Sequence, residues 1–124
     1  MKLTRQSGAD RQIIQSYGNG GFRVSGAVFK GSVIITPTQT LTWHVASMAQ
    51  LVLDDFQAVI AQAGATDVFL LGCGAGMLPL PRDIRAALKE AGVSIDPMDT
   101  GAACRTFNVL TGERRAVTAA LIAV

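Results

Sequence analysis

Two thiols, a glycine-rich run and one polar, helix-length segment hold most of the chemistry this sequence could do. Cys73 lies within Gly72-Cys73-Gly74-Ala75-Gly76, directly after the apolar run Asp67 to Leu71. Glycines that follow a strand are where phosphate and dinucleotide loops occur, because backbone N–H groups can approach an anion there. The fingerprints are incomplete: Met77 stands where the third glycine or alanine would fall, and no Gly-Lys-Ser/Thr follows. A tight turn with close backbone packing explains the same glycines. Cys104 falls early in a second segment with helical signals, where the macrodipole would favour a thiolate. As a buried packing residue it would instead be inert. His44, the sole histidine, is the one base that a Cys–His dyad could use.

Asp99, Thr100, Arg105, Asn108, Glu113 and Arg114 form the polar set of the segment 98–115. One reading makes each structural: Asp99 or Thr100 caps a helix, Arg105 is solvated, Asn108 bonds to nearby backbone, and Glu113 pairs with an arginine. The other reading is a recognition patch for a partner or a small anion.

The gross numbers narrow the function classes. The 124 residues are one domain's worth. Apolar residues make up 49% and charged residues 16%, less charge than the roughly 25% of an average soluble domain. Some apolar surface is therefore expected to meet a protein partner, a second copy of the chain (a homodimer) included. A net charge of +2, with no basic run longer than Arg114-Arg115, argues against a nucleic-acid-binding domain. Without CxxC spacing or a histidine cluster, no metal site is expected, and no cofactor motif is complete. Two free thiols suit a reducing compartment. Lys2, Arg5 and Arg11 precede no apolar stretch before Ile13, and no window approaches the roughly 18 apolar residues of a membrane span. A cytoplasmic protein without a membrane span is the expectation.

The elements that must position these residues follow from periodicity. Residues 1–12 are polar and expected to be a flexible N-terminus, with a single domain over 13–124. Ile13 to Tyr17 reads as a strand, Gly18-Asn19-Gly20-Gly21 as a turn, and Phe22 to Phe29 as the returning strand of a hairpin. Val33 to Ile35 is another strand, ended by Pro37, and Leu41 and Trp43 mark a short one. Ser47 and Gln50 have capping-box spacing, so one helix is expected from there to about Ala63, with Val52, Phe56, Val59 and Ala63 inward. Asp67 to Leu71 reads as a buried strand, Pro81 to Gly92 as a helix, and Val93 to Ile95 as a strand stopped by Pro97. That strand–helix–strand unit implies parallel strands and a right-handed crossover. It places Cys73 and Cys104 on the same side of the molecule, at the edge where open α/β sheets bind ligands. Thr100 to Thr111 reads as the last helix, with Ala103, Phe107 and Leu110 inward and Gly112 as its stop. Val117 to Val124 must be covered on both faces, by a helix layer and a second sheet or by another subunit.

Met98 to Leu110, then Glu113-Arg114-Arg115 and Ala119-Ala120-Leu121-Ile122, resembles the Mth938 domain family, the DUF498 group. The similarity extends to Leu71-Gly72-Cys73-Gly74, to the Pro81–Gly92 helix and, more loosely, to Val33 to Trp43. It implies a compact three-layer α/β domain (β/β/α): a mixed central sheet, an N-terminal β-hairpin layer and about three helices, with helices on one side and the small β layer on the other. The family includes a mitochondrial assembly factor for respiratory complex I that acts through protein partners. The resemblance settles no catalytic residue. Where many relatives carry basic residues after the glycine loop, this chain has Ala75-Gly76-Met77-Leu78.

The expectation is therefore a non-enzymatic cytoplasmic binding or assembly-type module, acting through the Gly72–Gly76 loop and the start of the Thr100–Thr111 helix. Its expected binding residues are Gly72, Cys73, Gly74, Asp99, Thr100, Cys104, Arg105, Asn108, Glu113 and Arg114. The alternative is a small-molecule-binding or thiol-dependent enzyme using Cys104 or Cys73.

Overall fold

The structure, a computed structural model, describes residues 11–124. Of the expected flexible stretch 1–12, all but Arg11 and Gln12 lie outside the described residues.

The chain first makes a three-stranded antiparallel meander: β1 (Ile14–Gly18), β2 (Gly21–Val24) and β3 (Ala27–Lys30). The expected hairpin is present, but its returning strand is itself folded in two. Ser25 (φ 48°) and Gly26 (φ 88°) reverse the chain there, just as Asn19 (φ 52°) and Gly20 (φ 77°) do between β1 and β2. Positive φ at both central residues matches the twist of the flanking strands.

A mixed five-stranded sheet follows, built from β4 (Ser32–Ile35), β5 (Thr40–Trp43), β6 (Val68–Gly72), β7 (Ile95–Met98) and β8 (Val117–Leu121), in spatial order β5-β4-β8-β6-β7. β4 is antiparallel to β5 and β8, while β6 is parallel to β7 and β8. β7 runs through Pro97 instead of stopping before it. As an edge strand, β7 has one side with no ladder bond to lose, so a proline is tolerated there.

The expected helix over 47–63 breaks into two 3-10 turns (Met48–Gln50, Leu53–Phe56) and one α turn, α1 (Gln57–Ile60). Side chains capture the backbone at each break. Gln50 Oε1 accepts from the N–H groups of Ala46 (2.9 Å) and Ser47 (3.2 Å), and Asp55 Oδ2 accepts from Val52 N–H at 2.9 Å. Such local bonds compete with a continuous helix. The apolar stripe is still partly honoured, since Phe56 and Val59 are buried.

The longer helices are α2 (Arg82–Glu90) and α3 (Thr100–Gly112). The connections β5 to β6 and β6 to β7 run the same way across the sheet, whereas β7 to β8 runs back. If every crossover is right-handed, the returning helix must lie on the opposite face. That is observed. Phe56, Val59, Ile84 and Leu88 pack on one face with Phe69, Leu71 and Ile122. Ala103, Cys104 and Phe107 of α3 pack on the other with Leu70, Ala119 and Leu121, beside Phe22 and Val24 of the small sheet. α3 thus shares the layer of the meander and does not join α1 and α2. The same division covers both faces of β8, all five of whose residues are buried.

Candidate functional site

The loop after β6 leaves toward one face and the loop after β7 toward the other. Between the C-terminal ends of these neighbours lies the crevice where open α/β sheets usually place a ligand. Here the protein fills it with Thr100. This side chain is 0% exposed. Its hydroxyl donates to the Ile122 carbonyl at 2.7 Å and accepts from Gly74 N–H at 2.9 Å. Thr100 N–H donates to Gly74 O at 2.9 Å, and Cys73 N–H to Met98 O at 2.8 Å. A Cβ at Gly72 would sit 2.9 Å from Thr100 Oγ1 and 3.0 Å from Thr100 Cα, so only glycine allows this approach. Gly72, Gly74 and Thr100 thus stitch β6, β7 and β8 together.

The thiols do not converge. Cys73 packs in the core beneath α1 and α2, and Cys104 in the core beneath α3, on opposite faces of the sheet. Burial raises the Cys73 pKa above its ordinary value, against the opposing hydrogen bonds from Leu78 and Met98. Burial pushes Cys104 up to about 12, while the Arg105 guanidinium pulls it back only in part. Desolvation therefore outweighs the helix dipole expected to activate Cys104. The Cys73 thiol lies 3.3 Å from the Leu78 carbonyl and ties down the loop. His44 Nε2 lies 2.7 Å from Asp55 Oδ1 at the β5 edge, which accounts for it without a nucleophile.

The polar residues of α3 are spread along a helix of 13 residues, which spans roughly 20 Å. Asp99 is the N-cap, its Oδ1 accepting from Ala102 N–H at 2.8 Å. Arg105 Nη1 donates to Tyr17 OH at 3.2 Å. Asn108 imitates a strand partner for β1: its Oδ1 accepts from Ile14 N–H (2.9 Å) and its Nδ2 donates to Ile14 O (2.8 Å). Its expected bond to neighbouring backbone is made to backbone 94 residues away. Glu113 is the C-cap and Arg114 takes the left-handed position, φ 64°. Arg115 N–H bonds to Leu110 O and Arg114 N–H to Thr111 O, both at 3.0 Å, which is the Schellman pattern. Gly112, expected to stop the helix, is its last turn's residue, and an arginine makes the stop.

Two surface features flank this frame. Beyond Gly74 the chain exposes Met77 (59%) and Leu78 (50%). They lead into Pro81, which with Val52 (55% exposed), Leu53 and Ile84 lines a shallow depression of about 280 Å³. At the opposite pole, below the end of α3, a cavity of about 470 Å³ is lined by Arg11, Pro37, Phe107, Thr111, Arg114 and Arg115 together with neighbouring backbone. Arg11 and Pro37 were not legible as cavity residues, nor Tyr17 as the partner of Arg105. The paired arginines 114 and 115 were the only signal, and their cavity partners are distant in sequence. Among the described residues, no cluster of His, Cys, Asp or Glu could hold a metal ion.

A family model described as "Protein of unknown function (DUF498/DUF598)" matches residues 14–122. NADH dehydrogenase (ubiquinone) 1 alpha subcomplex assembly factor 3 of Danio rerio is 32% identical over 110 residues, 89% of this chain. The chain spans only 63% of that relative's length. The crystal structure of a Bartonella henselae protein, described as an outer membrane protein, aligns with a TM-score of 0.85 at 40% identity, covering 94% of this chain and 98% of that one. A Bordetella pertussis solution structure, described as a Mth938-like domain, aligns with a TM-score of 0.78 at 26% identity, covering 99% and 92%.

Proposed function

The chain belongs to the DUF498 family, and on that premise we propose that it is a non-enzymatic binding module of the assembly-factor kind, with residues 13–124 working as one domain. Its partners are proteins, and the likeness to assembly factor 3 makes subunits of an NADH dehydrogenase complex the first class to test. The contact surface in this reading is the loop from Gly72 through Leu78, extended by Val52, Leu53 and Pro81 at the start of α2. The observation that carries it is the exposure of Met77 and Leu78 on a loop whose base is held by Cys73 and Thr100. An exposed apolar rim on a rigid base is what a protein partner covers. The start of α3 contributes stiffness through Thr100. The thiol-enzyme alternative loses its support, because both sulfurs are buried, protonated and on opposite faces of the sheet. A cytoplasmic setting belongs to the proposal and rests on the two free thiols. Among the described residues, no helix is long and apolar enough to cross a membrane.

The test is affinity capture of NADH dehydrogenase subunits by the tagged protein and by a Met77→Glu/Leu78→Glu variant. Wild type is expected to retain a subunit that the variant loses, with both proteins melting within about 2 °C of each other, as exposed substitutions should. Equal capture by both would remove the rim from the proposal.

A further inference from the structure

The cavity at the far pole of α3 has the composition of a ligand site. Its volume of about 470 Å³ falls within the roughly 300–1,000 Å³ of small-molecule sites. Pro37 and Ala116, above the buried Phe107 and Val117, give it an apolar wall, and Arg11, Arg114 and Arg115 bring three guanidinium groups to its border. None of its described lining residues is acidic. A helix C-terminus normally repels anions through its free carbonyls. Here the carbonyls of Val109, Leu110 and Thr111 already accept from the N–H groups of Glu113, Arg114 and Arg115. A Cβ at Gly112 would lie 3.7 Å from Arg11 Nη1, so this guanidinium stands over the same last turn. Three of the helix's last four carbonyls are thus answered within the protein, and the charged side chains lining the cavity are all positive.

The backbone adds an independent observation. Arg114 occupies a left-handed position that glycine fills at lower free energy. Strain of this kind persists where the side chain serves another purpose. Holding φ at 64° at residue 114 places two consecutive arginines, 114 and 115, on one cavity wall.

We propose that this cavity binds a small organic acid, one carboxylate head on a compact apolar body, with Arg114 and Arg115 on the head and Pro37 and Ala116 against the body. Guanidinium groups match a planar carboxylate with paired hydrogen bonds, whereas a fully hydrated polyanion would gain nothing from the apolar wall. The site lies at the opposite pole from the apolar rim, so it stands or falls separately from the partner surface.

The test measures binding of 2-naphthoate, of neutral 2-naphthamide and of inorganic phosphate by titration calorimetry at low salt. Naphthoate is expected to bind at least tenfold more tightly than either comparison compound and to weaken as salt rises. Arg114→Gly and Arg115→Ala are each expected to weaken it at least fivefold, while Met77→Glu/Leu78→Glu binds as wild type does. Because Arg114→Gly relieves backbone strain, unfolding cannot account for lost affinity in that variant. Naphthamide binding within twofold of naphthoate, phosphate binding as tightly as naphthoate, no naphthoate binding at millimolar concentration, or unchanged affinity in both arginine variants would each overturn the proposal.

Discussion

Replacing Thr100 by valine keeps shape and volume and removes one oxygen, which isolates what the hydroxyl does between β6, β7 and β8. Two partners are orphaned. The Ile122 carbonyl, in a residue 2% exposed, loses the donor at 2.7 Å. The part-buried Gly74 N–H loses its acceptor at 2.9 Å. A buried polar group left unmade costs about 1–3 kcal/mol, and a half-buried one about 1 kcal/mol, so the sum is about 2–4 kcal/mol. At this chain length each kcal/mol shifts the melting temperature by roughly 4 °C, so Thr100→Val should lower it by about 8–15 °C. Thr100→Ser keeps the hydroxyl and drops one methyl group, about 1 kcal/mol. Urea unfolding of the two variants beside wild type measures the difference, with an unchanged slope confirming that the transition is comparable. If valine proves no worse than serine, the hydroxyl is not what closes the crevice, and the site is open to a ligand after all.

Two further outcomes are expected. Arg114→Gly should raise stability by about 0.5–1 kcal/mol, because relief of the left-handed strain exceeds the added freedom of the unfolded chain; a melting temperature below wild type would refute the strain. Cys104 should make the fold alkali-sensitive. Below its ordinary pKa of 9.0 both states carry the proton, whereas between 9.0 and about 12 only the folded state does, so stability falls as pH rises through that window. Cys104→Ala should flatten that fall, and neither thiol should react with Ellman's reagent at pH 8 in the folded protein; a slope unchanged by the substitution would contradict the burial of the thiol.

What the sequence discloses and what it hides divide along the range of the interactions. Asp99 as a cap, Asn19-Gly20 as a turn, and the β6–α2–β7 unit depend on residues within a turn or a crossover of one another, and they are legible. The unbroken helix over 47–63 is misread because its apolar period is real, but Gln50 and Asp55 spend their side chains on the backbone three or four residues back. Pro97 is misread because its tolerance depends on β7 being an edge, a property of the sheet and not of the strand. Asn108 bonds to Ile14, Thr100 bonds to Ile122, and Arg11 meets Arg114 only through the fold, so no spacing announces them. The family resemblance supplied the three-layer plan, while the side of the sheet taken by α3 follows from crossover handedness once the strand order is known.

The strand at the centre of the five-stranded sheet is also the last of the five to leave the ribosome. Until Val117–Leu121 emerges, β4 and β6 have no neighbour on their inner sides, and each carries a row of unpaired N–H and C=O groups. More than eighty residues separate β4 from the strand that joins it to the rest. The nascent chain must therefore hold two sticky edges apart through the synthesis of α2 and α3, with closure coming as one late, long-range event. During that interval the polypeptide is most exposed to misassembly.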